Sequence, residues 1–145
     1  MKIGKLMVEN VIGVPSDASV HEAVKLMNEN KIGCLLVVDY EKISGIFTER
    51  DVLERIVEEG KNPRETKVSE IMTKHVIIGN PNMELVDATK LMFENKVKKL
   101  PIVEDGKLMG LVTLTDIARV TSVDKETMEL IKTLSNLHTI ELNVS

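Results

Sequence analysis

Lys25-Leu26-Met27-Asn28-Glu29-Asn30-Lys31 returns further along the chain as Lys90-Leu91-Met92-Phe93-Glu94-Asn95-Lys96. The offset of 65 positions holds well beyond this stretch: Met7 falls on Met72, Val11-Ile12 on Val76-Ile77, Ala23 on Ala88, Leu35 on Leu100, Val38 on Val103, Gly45 on Gly110, Thr48 on Thr113 and Asp51 on Asp116. Self-similarity at a fixed period marks repeated copies of one supersecondary unit. Two copies within 145 residues suggest a pseudo-twofold pair sharing one core, each half being marginal alone. The seam between the copies is then the expected place for function.

Composition narrows the partners. The net charge is −4, and the aromatics are Tyr40, Phe47 and Phe93 with no tryptophan. A nucleic-acid partner is poorly served by that charge and by so few stacking platforms. Cys34 is the single cysteine; with apolar neighbours it reads as a small buried hydrophobe in a reducing compartment. No secretory leader and no apolar run of membrane-spanning length is seen, so a soluble, cytoplasmic protein without membrane attachment is expected.

Each copy reads as short helix, strand, helix, two strands, helix. In the first, Gly4 to Met7 predicts a helical turn and Asn10 to Val14 a strand ended by Pro15. Ser19 and Glu22 form a capping-box pattern before a helix that places Val20, Ala23, Val24 and Met27 on one face. Gly33 to Asp39 is a β-branched apolar run that predicts a buried strand. Tyr40-Glu41-Lys42 turns it into Ile43 to Phe47, and Thr48 opens a helix to about Glu59, closed by Gly60. The second copy repeats this order: a short helix over Val68 to Met72, a strand over His75 to Ile78, and a helix lined by Leu85, Ala88, Leu91 and Met92. Strands follow over Lys99 to Val103 and Lys107 to Val112, around the hairpin signal Glu104-Asp105-Gly106. Met128, Leu130, Ile131 and Leu134 suggest one further amphipathic helix.

The sharpest paired motif is Gly45-Ile46-Phe47-Thr48-Glu49-Arg50-Asp51 with Gly110-Leu111-Val112-Thr113-Leu114-Thr115-Asp116, where a buried strand passes into a helix. A capping box alone accounts for Thr and Asp at this spacing. The same geometry lets the carboxylate accept from a vicinal diol and the Thr bond a ribose or phosphate oxygen, and one carboxylate has lone pairs enough for both. Lys96-Val97-Lys98-Lys99 puts cations at the mouth of a strand, either as edge protection or as a phosphate contact. Gly33-Cys34 stands at the matching place in the first copy, so the two clefts should prefer different ligands. His21, His75 and His138 lack metal-ligand spacing, and the repeat-matched methionines read as core. No nucleophile elbow, Walker loop or dinucleotide fingerprint occurs, so the chain is not expected to be an enzyme.

Together the tandem copy, the Ala-x-x-Leu-Met helices, Lys99-Leu100-Pro101-Ile102-Val103 and both Gly-x-x-Thr-x-x-Asp elements resemble a pair of CBS motifs, a stand-alone Bateman module. The resemblance implies an α/β fold (α+β by some schemes): two β-α-β-β-α motifs about a pseudo-twofold axis, with their sheets packed together. Motif 1 would span 1–65, motif 2 66–122, and a helical tail 123–145. A homodimer is also implied, together with adenine-nucleotide or S-adenosylmethionine binding as a regulatory ligand, with no required cofactor and no metal. Carried over, one cleft takes Thr113, Thr115 and Asp116 with Ile12, Gly13, Val14, Cys34 and Leu35. The other takes Thr48, Arg50 and Asp51 with Ile77, Ile78, Gly79, Lys98, Lys99 and Leu100. The resemblance makes Asp51 and Asp116 ribose partners and assigns AMP, ADP or ATP to the second cleft through its lysines. It further implies an adenosyl-sensing module acting on a regulated protein partner. The competing reading is a dimeric interaction scaffold that binds no ligand.

Overall fold

Val20–Asn30 (α1) and Leu85–Asn95 (α4) are one helix drawn twice. The computed structural model describes residues 1–120, 129–130 and 132–134. Ser19 Oγ accepts from the Glu22 N–H at 3.0 Å, which is the serine half of the expected box. Both helices end on a lysine in the left-handed region, Lys31 and Lys96, each with φ 54. The next residue closes the turn: Ile32 and Val97 donate to the carbonyls of Met27 and Met92, satisfying orphan groups at the helix end. Val20, Ala23 and Met27 are buried on α1, and Leu85, Ala88, Thr89 and Met92 on α4.

The remaining elements are Gly13–Val14 (β1), Cys34–Asp39 (β2), Lys42–Thr48 (β3), Glu49–Val52 (α2), Val68–Ile71 (α3), Lys99–Glu104 (β4), Lys107–Thr113 (β5) and Leu114–Ala118 (α5). A 3-10 turn at Ile3–Lys5 precedes β1, and α2 runs on into a π turn over Leu53–Val57. β1 pairs parallel with β2, and β2 pairs antiparallel with β3. β4 and β5 form the matching hairpin. Its turn holds Asp105 and Gly106 at φ 51 and 78, while the first hairpin puts Tyr40 and Glu41 at φ 51 and 68. Left-handed residue pairs of this kind suit the right-handed twist of a hairpin.

The strand expected over His75 to Ile78 does not form. Pairing is reduced to one parallel bridge, Gly79 with Ile102, in which Gly79 N–H donates to Pro101 and Val103 N–H donates to Gly79. Continuing that ladder backwards requires an N–H from residue 101, and proline has none. In the first copy Leu36 occupies that place. The strand expected from Asn10 likewise shrinks to Gly13–Val14.

The described residues form two compact units: Ile12–Val76, and Met1–Val11 together with those from Ile77 onward. Each has its own hydrophobic core, in contrast to the single shared core expected above. The reason lies in the short opening helices. Val68 and Ile71 of α3 are buried in the core with Phe47, Leu35 and Val37, whereas Ile3 is buried with Leu100, Ile102 and Val112. Each repeat's opening turn therefore completes the core built from the other repeat. Of the expected tail helix, Met128 and Ile131 lie outside the described residues, while Leu134 is buried in the core that contains Ile3.

Candidate functional site

Both Gly-x-x-Thr-x-x-Asp elements close as reciprocal caps. In the Ile12–Val76 unit, Asp51 N–H donates to Thr48 Oγ1 at 3.2 Å and Thr48 N–H donates to Asp51 Oδ2 at 3.0 Å. In the other unit, Asp116 N–H donates to Thr113 Oγ1 at 3.1 Å and Thr113 N–H to Asp116 Oδ2 at 2.9 Å. The opening glycines make room for a neighbouring chain segment. A Cβ on Gly45 would stand 2.7 Å from the Thr73 carbonyl oxygen, and one on Gly110 would stand 2.9 Å from that of Val8. Those segments bridge to the strands in the same way: Thr73 exchanges hydrogen bonds with Ile46, and Val8 exchanges them with Leu111.

The two turns differ beyond the cap. Asp51 is a buried carboxylate, 4% exposed. Its Oδ1 accepts from Thr73 Oγ1 at 3.1 Å and lies 3.8 Å from Arg55 Nη1. Arg55 Nη1 in turn donates to the carbonyls of Ile71 and Met72 at 2.7 and 3.2 Å, at the C-terminal end of α3. Thr73 and Arg55 were not singled out in the sequence. The signal was present nonetheless: at the same offset of 65, Val8 and Val120 stand where Thr73 and Arg55 do, a change of polarity between otherwise matched copies. Asp116 is more open, with its side chain 16% exposed, and Arg119 is 4.0 Å from its Oδ1.

The expected site residues sort by unit. With Asp51 stand Thr48, exposed Arg50, Ile12, Gly13, Val14, Cys34 and Leu35; Cys34 is half-buried and pairs with Thr48. With Asp116 stand Thr113, Thr115, Ile77, Ile78, Gly79, Lys98, Lys99 and Leu100; Lys99 pairs with Thr113, and the Lys98 carbonyl accepts from Leu114 N–H. Leu35 and Leu100 are fully buried. Ile12 and Ile78 are exposed. The Asp116 turn therefore neighbours a cationic strand start. At the corresponding place beside the Asp51 turn, a Cβ on Gly33 would meet the Glu49 carboxylate at 3.3 Å.

An open groove of about 500 Å³ lies at the far end of β2, lined by Pro15, Ser16, Asp17, Val38, Asp39 and Tyr40. The Ser44 hydroxyl and the Ser16 N–H both donate to the Asp39 carboxylate and hold its pKa below the ordinary value. A carboxyl with a depressed folded-state pKa adds stability above its unfolded value, and that stability is lost as pH falls through the folded one. Acid unfolding of the chain should therefore include an Asp39 contribution confined to the region below about pH 4. Urea midpoints followed from pH 6 to pH 3 should fall less steeply for Asp39→Asn than for the unsubstituted chain.

Among the described residues no group of three His, Cys, Asp or Glu is placed to hold a metal, and no helix is long and apolar enough to cross a membrane. His138 lies outside the described residues.

Comparison with known proteins agrees with this architecture. The CBS domain family matches residues 3–58 and 68–122. The CBS domain-containing protein YhcV of Bacillus subtilis is 37% identical over 112 residues, which cover 77% of this chain and 79% of that protein. An inosine-5'-monophosphate dehydrogenase of Methanocaldococcus jannaschii is 38% identical over 120 residues, 81% of this chain but 23% of the enzyme. Among solved structures, the CBS domain protein TA0289 of Thermoplasma acidophilum superposes with a TM-score of 0.76 at 28% identity, covering 94% of this chain and 76% of that one.

Proposed function

The chain belongs to the CBS-domain family, and from that premise we propose that it is a non-enzymatic regulatory module that senses an adenosyl ligand: AMP, ADP, ATP or S-adenosylmethionine. The observation that carries this reading is the pair of Thr-x-x-Asp turns at the ends of β3 and β5. In each, the cap engages one carboxylate oxygen; the second oxygen of Asp116 keeps acceptor capacity that suits the hydroxyls of a ribose diol, whereas that of Asp51 also accepts from Thr73. Lys98 and Lys99 add the charge a phosphate requires. The strand-start residues that stand with each turn supply the remaining contacts, with apolar side chains against adenine. Binding would bias the module between two shapes and so alter a protein partner.

Leu53 and Val57, four residues apart on the π turn, are 54% and 66% exposed. An apolar pair at this spacing on one helical face suits self-association, and we read the working form as a homodimer.

A thermal-unfolding series tests the ligand reading. A ligand that binds only the folded chain at a hundred times its Kd adds about 2.7 kcal/mol to the unfolding free energy. Millimolar ATP or S-adenosylmethionine should raise the unfolding temperature of the chain, and the double variant Asp51→Ala/Asp116→Ala should lose that rise. An equal rise in the double variant excludes the turns as the ligand site.

A further inference from the structure

We propose that Thr73 and Arg55 decide which of the two turns takes the ligand: they hold the Asp51 carboxylate as a structural clasp, so that a phosphorylated nucleoside presents its diol to Asp116 first. The inference rests on the adenosyl reading above and adds to it an order of occupancy and the residues that set it.

A vicinal diol needs acceptor positions it can reach. On Asp51, Oδ2 is engaged by Thr48 N–H, and Oδ1 is engaged by the Thr73 hydroxyl with Arg55 beside it. The residue is 4% exposed. A ligand reaching this carboxylate must displace Thr73, and Thr73 is itself tied into β3 through Ile46. Arg55 cannot readily swing away, because two carbonyls at the end of α3 hold it. Breaking this set strips hydrogen bonds from the buried Asp51 carboxylate before a ligand can replace them, which is costly.

Among the described residues the other unit has the same cap without the clasp. Val8 makes the bridge to Leu111 that Thr73 makes to Ile46, but its side chain has no hydroxyl to donate. Val120 stands at the position of Arg55. Arg119, at 4.0 Å from Asp116 and 77% exposed, is a surface partner that a ligand can displace at little cost. Charge points the same way. The Lys98–Lys99 strand start belongs to the Asp116 unit, while Glu49 lies beside the corresponding position in the Asp51 unit. A nucleoside phosphate is attracted to the first; at the second, the cations Arg50 and Arg55 already lie beside the carboxylates of Glu54 and Asp51. This order reverses the sequence-based expectation, in which the lysines serve the Asp51 turn.

The test is isothermal titration of the full chain, freed of nucleotide, with ATP. Asp116→Asn should weaken ATP at least about tenfold more than Asp51→Asn does, as expected for loss of hydrogen bonds to a charged group. Thr73→Val, which frees Oδ1 of Asp51 with little change of volume, should add a second, weaker binding event. Without ligand, Asp51→Asn should lower the urea midpoint more than Asp116→Asn. If Asp51→Asn weakens ATP more than Asp116→Asn, or Thr73→Val leaves the stoichiometry unchanged, the order of occupancy is overturned while the adenosyl reading stands. If the unsubstituted chain gives no ATP binding, both fall.

Discussion

Replacing Phe47 by alanine is expected to lower the unfolding free energy by about 3–5 kcal/mol, the usual cost of truncating a buried aromatic. Phe47 has no exposed surface and is the largest fully buried side chain among the described residues. It lies on β3 in the core that also holds Leu35, Val37, Val68 and Ile71. The neighbours come from both β2 and α3, so a cavity here loosens both sides of the core at once, and no adjacent aromatic can move in to fill it. A urea titration followed by circular dichroism measures the loss. A change below about 1 kcal/mol would mean that the core collapses around the smaller side chain, contrary to close packing.

Gly45→Val is expected to cost about 3 kcal/mol, at the upper end of the usual penalty for overpacking. Its Cβ would stand 2.7 Å from a backbone oxygen, that of Thr73, and 2.8 Å from Met72 Sδ. The methionine can swing away, but the backbone cannot move without parting Ile46 from Thr73, which exchange hydrogen bonds at 2.8 and 2.9 Å. The same movement would carry the Thr73 hydroxyl away from Asp51. The glycine that opens the motif is therefore a packing requirement, met again at Gly110 against Met7 and Val8. The check is the unfolding free energy of Gly45→Val; an unchanged value would show that the Thr73 segment can shift freely.

The fold was legible because repetition and periodicity agreed. Val20, Ala23 and Met27 mark the buried face of α1, and the Asp105-Gly106 pair marks the hairpin of β4 and β5, from local sequence alone. What escaped was non-local. Ile3 and Val68 sit at matched positions of the two copies, yet each is buried with the strands of the other repeat. Nothing in an apolar residue's neighbours along the chain says which of two similar sheets it will cover. Pro101 was legible in principle: its missing N–H explains why the strand before Gly79 shortens to a bridge.

In the candidate site, Thr48, Asp51, Thr113 and Asp116 form the caps their spacing implies. Thr73 reaches Asp51 from 22 residues downstream, and Arg55, four residues beyond Asp51, is held there by the carbonyls of Ile71 and Met72, so neither arrangement follows from local spacing alone. Comparing the copies for their differences would have found both, since each is matched by a valine. The two turns differ structurally at positions where the repeat fails.

The most direct measurement is isothermal titration of the purified, nucleotide-free chain with AMP, ADP, ATP and S-adenosylmethionine in turn. At least one of the four should bind saturably, and Asp116→Asn should weaken it. Flat traces for all four from demonstrably folded protein would contradict the adenosyl reading and leave the chain a dimeric interaction scaffold.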